Sequence, residues 1–323
     1  VAELVQVGPD ASKLANAYLS PIFKGFGIGL NSGWANTAHS KNLGRFDLRL
    51  SFTGAMVPQK DENFDVLGLG LSDRLQPANS GQTLSPTVAG SKNAGPELII
   101  RDNDGDEVER INLPKGANLS IIPAPQLQAT VGLIKGIDVS LRAIPEIKLG
   151  DVGSINMIGG GMKVELLPLI AGKTAGKLLP FDLAVALGYT QFSYNKELDY
   201  TSPQGTVPDN QRIEATISGI NAQAILSKKL LVFTPFIALG YNTSKTSGGL
   251  KGDYKVITGS VPLTNTPVYS TVTDPVNLDK KNFSAFRSDV GFQLNLAFLR
   301  FYASYSASEY NSFNAGLGFG IGK

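Results

Sequence analysis

The chain of 323 residues contains no cysteine, one histidine, one tryptophan and three methionines. Without cysteine there can be no disulfide staple and no thiolate metal site. No run of eighteen apolar residues occurs, so a membrane-spanning helix is excluded, whereas spanning strands, which need be only half apolar, are not. Charged residues make up only 17% and nearly cancel at a net charge of +2, so nothing points to nucleic acid. The first residues form no signal peptide, since Val1 opens directly onto polar sequence.

What the chain does have is alternation. From Ser312 to Gly322, the residues Phe313, Ala315, Leu317, Phe319 and Ile321 face one way, and serine, asparagine and glycines face the other. In a soluble protein so apolar a terminal strand would be a sticky edge. In a closed transmembrane barrel it is paired on both sides and its apolar face meets lipid. The pattern recurs at Arg45 to Met56, Phe181 to Tyr189 and Phe286 to Phe298, and more weakly at Pro125 to Leu133, Ile137 to Ala143, Leu231 to Tyr241 and Leu299 to Tyr305. Two further segments change phase, near Gly159 to Gly161 and near Gly219, which predicts bulges there.

The fold class expected is therefore all-β, a transmembrane antiparallel barrel of ten strands, with twelve if residues 58–118 add a pair and fourteen as the upper bound. Short turns fall on one side at Ser227 to Leu230, Leu133 to Gly136 and Phe298 to Leu299. Long polar loops fall on the other at 58–118, 196–211 and 246–282, as in barrels of the bacterial outer membrane. On this reading a signal peptide has been removed before Val1.

Residues 1–43 precede the barrel at 44–323. Asp10 reads as the N-cap of a helix from Ala11 to Leu19, which Pro21 and Gly25 should end; Phe26 to Trp34 is too glycine-rich to continue it. Leu14, Tyr18, Phe23 and Trp34 are too apolar to hang in water, so the segment either folds into the barrel mouth as a plug, the preferred reading, or lies beneath the barrel in the periplasm.

Charges fall on the faces turned from lipid: Arg45, Asp47, Arg49, Asp138, Arg142, Lys163, Glu165, Asp182, Arg212, Glu214, Arg287, Asp289 and Arg300. They either fill a narrow interior as interlocked pairs or line a polar pore. Closure should bring Arg45, Asp47 and Arg49 near Arg287 and Asp289. Asp102, Asp104 and Asp106 suggest a calcium loop, but Glu107 and Leu113 stand where glycine and glutamate are required, so a hairpin of Glu97 to Arg101 with Val108 to Leu113 is the better reading. Gly27, Gly29 and Gly33 lack the flanking strand and helix of a nucleotide-binding loop. His39 has only Ser40 beside it, an unaligned neighbour, and reads as a loop residue. No catalytic residue, metal or cofactor is expected, and the chain reads as no enzyme.

The stretches NAYLSPIFKGFGIGLNSGW (16–34), LRAIP (141–145), GGGMKVEL (159–166), PFDLAVALGYT (180–190) and Phe313 to Phe319 resemble uncharacterised outer-membrane barrels of Bacteroidota-type bacteria, themselves distantly similar to the long-chain fatty-acid transporter family. That resemblance implies an N-terminal hatch and passive transport of small or hydrophobic solutes; fourteen clear strands are not present. The competing expectation is a non-transporting barrel that serves as a structural subunit or docking platform. Outer-membrane lipid is the expected partner, with other outer-membrane or periplasmic proteins left open.

Overall fold

The structure, a computed structural model, describes residues 9–101, 105–133, 136–170, 179–198, 210–260 and 267–320. Ten strands form the wall: β1 (Phe46–Met56), β2 (Ile121–Gly132), β3 (Ile137–Lys148), β4 (Ser154–Glu165), β5 (Asp182–Glu197), β6 (Arg212–Ser227), β7 (Phe233–Lys251), β8 (Lys280–Leu296), β9 (Leu299–Ala307) and β10 (Ser312–Gly320). Each pairs antiparallel with the next, and β1 pairs with both β2 and β10, so the sheet closes.

The two-residue period explains the wall. At the seam Leu48, Leu50 and Phe52 lie opposite Phe319, Leu317 and Ala315, with Leu50 61% and Leu317 57% exposed. Their sequence neighbours Asp47, Arg49, Ser51 and Thr53 are buried inside. A greasy outside around a polar inside inverts the order of a soluble protein and is that of an outer-membrane barrel. No described helix is long and apolar enough to cross a membrane.

The short connections, 133–136, 228–232 and 297–298, share one rim with the end of β10, which is the periplasmic rim by the usual rule for such barrels. The longer β4–β5 connection, also on this rim, begins with a helical turn at Leu167–Ile170. At the other rim, the described residues between 57 and 120 fold into a cap. It holds a three-stranded sheet (Leu75–Pro77, Glu97–Arg101, Glu107–Asn112) and a two-stranded one (Asn63–Asp65, Leu84–Pro86). No described strand of the cap joins the wall, so the count stays at ten rather than twelve or fourteen. Asp102 and Asp104 lie outside the described residues. Strands β7 and β8 reach into the expected loop 246–282, and Asp253–Ser260 pairs with Pro267–Thr273 above them.

Two expectations fail for one reason, the presence of a helix inside the wall. Helix α1 runs unbroken from Pro9 to Asn31, through Pro21 and all the glycines at which it was expected to stop. Surrounding wall supplies the packing that outweighs weak intrinsic propensity. Neither Gly159 to Gly161 nor Gly219 is a bulge, because β4, β5, β6 and β7 pair there without a shift of register. Met157, Ile213 and Ile217 simply face inward, against Phe23 and Leu30 of α1. The shifts lie between Ile144 and Ile147 and between Ser244 and Lys245.

Candidate functional site

Helix α1 enters from the capped rim. The Asp10 carboxylate, expected to cap the helix, instead accepts hydrogen bonds from the Ser72 N–H (2.9 Å) and hydroxyl (2.6 Å) of the cap. Leu14 packs in the core of the cap with Val66, Leu98 and Ile111. Tyr18 donates to the Lys115 carbonyl at 3.0 Å, and its own carbonyl accepts from Val88 N–H. Two of the four expected plug side chains thus bind the cap rather than the lumen.

Deeper in, the helix backbone lies directly on the wall. A Cβ placed on Gly29 would sit 2.2 Å from Ala124 Cβ, and one on Gly27 would sit 2.3 Å from Ser244 Oγ. These glycines serve close approach rather than a loop path. Phe23 and Leu30 are buried against Met157 and Ile217, Ile28 against Ile122 and Phe283, and the rings of Phe26 and Phe192 are 4.6 Å apart.

The helix ends at Gly33, whose φ of 67° is the left-handed conformation of a helix C-terminus. A terminus leaves carbonyls without partners, and here the wall supplies donors. Arg142 donates 2.7 Å bonds to the carbonyls of Leu30 and Ser32, and its Nε donates to Gln128 Oε1 at 2.9 Å. Gln126 donates to the Gly29 carbonyl, Arg49 to that of Gly33, and Gln128 to that of Trp34 at 3.2 Å. Arg287 donates to Asp289 (2.6 Å), Ser32 Oγ (3.0 Å) and Ser306 Oγ (2.8 Å). Three buried guanidiniums therefore gather at the negative end of the helix dipole. The Trp34 ring lies 3.8 Å from the Arg142 guanidinium and fills space left by Gly161 and Gly188.

Charges from early and late strands do meet, though through a different pair from the one expected. Asp47 of β1 accepts from Arg300 and from the Tyr302 hydroxyl (3.0 Å) of β9, reaching across β10. Gly318 and Gly320 leave the room, since a Cβ there would strike Tyr302 and Arg300. Arg287 pairs with Asp289 on its own strand, and Arg45 is exposed at the periplasmic mouth. Arg212 and Glu214 pair near the outer end, both half-exposed.

Below the helix, residues 32–45 descend to the periplasmic rim as a strap. Lys163 pairs with Asp138 (3.1 Å) and donates to the carbonyls of Thr37 (3.0 Å) and His39 (2.7 Å). Asp138 accepts from Lys41 N–H, Glu165 from Ser40 N–H (2.9 Å), and Ser227 Oγ from Ala38 N–H (2.9 Å). A lumen cavity of about 30 Å³, room for about one water, is bounded by Trp34, Asp47 and Arg49. Beneath it opens a mouth cavity of about 620 Å³ lined by Lys41, Arg45, Lys229 and Arg300 and, among the described residues, by no carboxylate. Burial lowers the Lys41 ammonium to about 8.

His39, read as an ordinary loop residue, turns out to face two carboxylates, with Nδ1 3.6 Å from Glu165 Oε1 and 3.8 Å from Asp182 Oδ1. The facing carboxylates of Asp182 and Glu165 raise its pKa to about 9. Sequence spacing gave no hint of this, because the three residues come from the strap, the end of β4 and the start of β5. The backbone-directed roles of Gln126 and Gln128 were equally hidden, although their inward phase was visible.

Over residues 1–321 the chain matches the family described as "Family of unknown function (DUF6588)". It belongs to that family. No curated protein matches it. Among solved structures it is similar to the attachment invasion locus protein Ail of Yersinia pestis (8% identity, TM-score 0.26, covering 87% of this chain and 100% of that one). It is also similar to the outer membrane transporter YddB from Escherichia coli (10%, 0.33, 86% and 41%) and to a Pseudomonas aeruginosa FadL homologue (12%, 0.19, 86% and 88%). Scores this low carry no inference about function.

Proposed function

We propose that this family member spans the bacterial outer membrane and passes small solutes passively, with the strap at 32–45 as its gate. The observation that carries this reading is the chemistry of the wall around the strap. Arg49, Gln128, Asp138, Arg142 and Lys163 hold the strap by hydrogen bonds to its backbone, and water can replace every one of those bonds once the strap moves. A wall that hydrates so readily becomes a pore lining. Upper wall residues such as Met157 and Phe283 have no such alternative, so α1 stays in place. The cationic mouth favours anionic solutes.

One observation favours the docking-platform reading instead. The cap binds the helix at Asp10, Leu14 and Tyr18, which joins the described cap to α1 on the outer side. Single-channel recording in a planar bilayer separates the two. Transport predicts brief openings of the whole protein and longer ones for Trp34→Ala, which unseats the strap from its slot; silence in both would leave the platform.

A further inference from the structure

Of all the charged groups at the periplasmic mouth, Glu165 and Asp182 are the two carboxylates whose only ionic partner among the described residues is a histidine. Lys163, two residues before Glu165, is spent on Asp138 and two strap carbonyls. The donor atoms of His39, Glu165 and Asp182 all lie within 4.8 Å of one another. At 3.6 and 3.8 Å the imidazole is too far from either oxygen for a good hydrogen bond. Those separations are close to the about 3.3–3.6 Å between ligand atoms in a tetrahedral site with bonds of about 2.0–2.2 Å.

From this geometry we infer that His39, Glu165 and Asp182 bind a divalent transition-metal ion of the Zn²⁺ type, and that the ion clamps the strap to the wall at the periplasmic mouth. The donor set, one imidazole nitrogen and two carboxylate oxygens, suits Zn²⁺ and disfavours Ca²⁺, which takes oxygen alone. Outer contacts already orient two of the ligands. Ser40 N–H bonds the far oxygen of Glu165, and Lys163 holds the His39 carbonyl. The His39 side chain is 55% exposed, which leaves a coordination position for water and a path for the ion to enter. Because the ligands come from the strap and from two wall strands, binding ties the strap to the wall at its periplasmic end, where hydrogen bonds hold His39 and Ser40. The site stands or falls independently of transport, since its test reads metal rather than conductance.

The test is titration of the chelator-treated full-length protein, folded in detergent micelles, with Zn²⁺ by calorimetry and with Co²⁺ by visible absorption. The expected result is one equivalent of each ion and the intense visible bands of tetrahedral Co²⁺. His39→Ala and Asp182→Asn should each weaken binding more than about a hundredfold, beyond the loss typical of an outer-contact change. A heat-modifiability gel shows that both variants remain folded barrels, and Lys229→Ala, at the same mouth, should bind as the parent does. Equal binding by parent and variants, no binding by the parent, or Ca²⁺ binding as tight as Zn²⁺ would each overturn the inference.

Discussion

The upper half of the lumen and the lower half hold the same N-terminal segment by opposite means. Above, α1 is pressed against apolar wall with no room for a Cβ at Gly27 or Gly29. Below, the strap hangs from arginine, lysine and glutamine side chains that reach its carbonyls. Apolar burial has no substitute in water, whereas a hydrogen bond to a backbone carbonyl is exchanged for one to water at a net cost of only about 0.5–1.5 kcal/mol. On the proposed function, this contrast makes the strap the moving part and the helix the fixed one.

The comparison breaks most visibly at the helix. Gly29→Leu drives a side chain into Ala124, and overpacking of this kind should cost about 3 kcal/mol, the upper end of its usual range, or block assembly. Urea titration of the folded barrel measures it, and a cost below that of a strap substitution would erase the contrast. Next come two removals read by both stability and conductance. Phe26→Ala should cost about 3 kcal/mol and leave conductance unchanged. Arg142→Gln takes the donors from the Leu30 and Ser32 carbonyls, which should cost about 1–3 kcal/mol and raise the open fraction severalfold.

The smallest effect concerns the tie between cap and helix. Asp61 accepts from Lys24 (2.8 Å) and from the Tyr310 hydroxyl (2.6 Å). Burial pushes its carboxyl up, but those bonds outweigh burial and leave it below the usual 3.8. A depressed carboxyl stabilises above its unfolded value and loses that contribution as pH falls through the folded one. The tie should therefore hold at neutral pH and weaken only below about pH 4. Asp61→Asn should remove that acid slope in thermal unfolding; an unchanged slope would assign it to other groups.

Much of the wall was legible in the sequence. A two-residue period is local, and Leu48, Leu50 and Phe52 declare their face whatever they pair with. The inner helix was legible only from Ala11 to Leu19, because Pro21 and the glycines beyond it carry helix-breaking signals that only an enclosing wall can override. For the same reason Ile213 and Ile217 were mistaken for a change of phase, when they are inward residues meeting a helix. At the site, the inward phase of Arg49, Arg142 and Asp47 could be read, but their partners could not. Asp47 meets Arg300 across an intervening strand, and Arg142 meets carbonyls, which carry no sequence signature. The surroundings of His39 could not be read because its carboxylate neighbours lie more than a hundred residues away.

The central claim, that the strap is the moving part, is met most directly by locking it. The chain has no cysteine, and Thr37 Oγ1 lies 3.3 Å from Ser227 Oγ on β6, so the double variant Thr37→Cys, Ser227→Cys carries one engineered disulfide between strap and wall. In a planar bilayer the reduced protein should show the openings of the parent, and the oxidised protein should show none until reductant is added. Identical records in the two redox states would contradict the account.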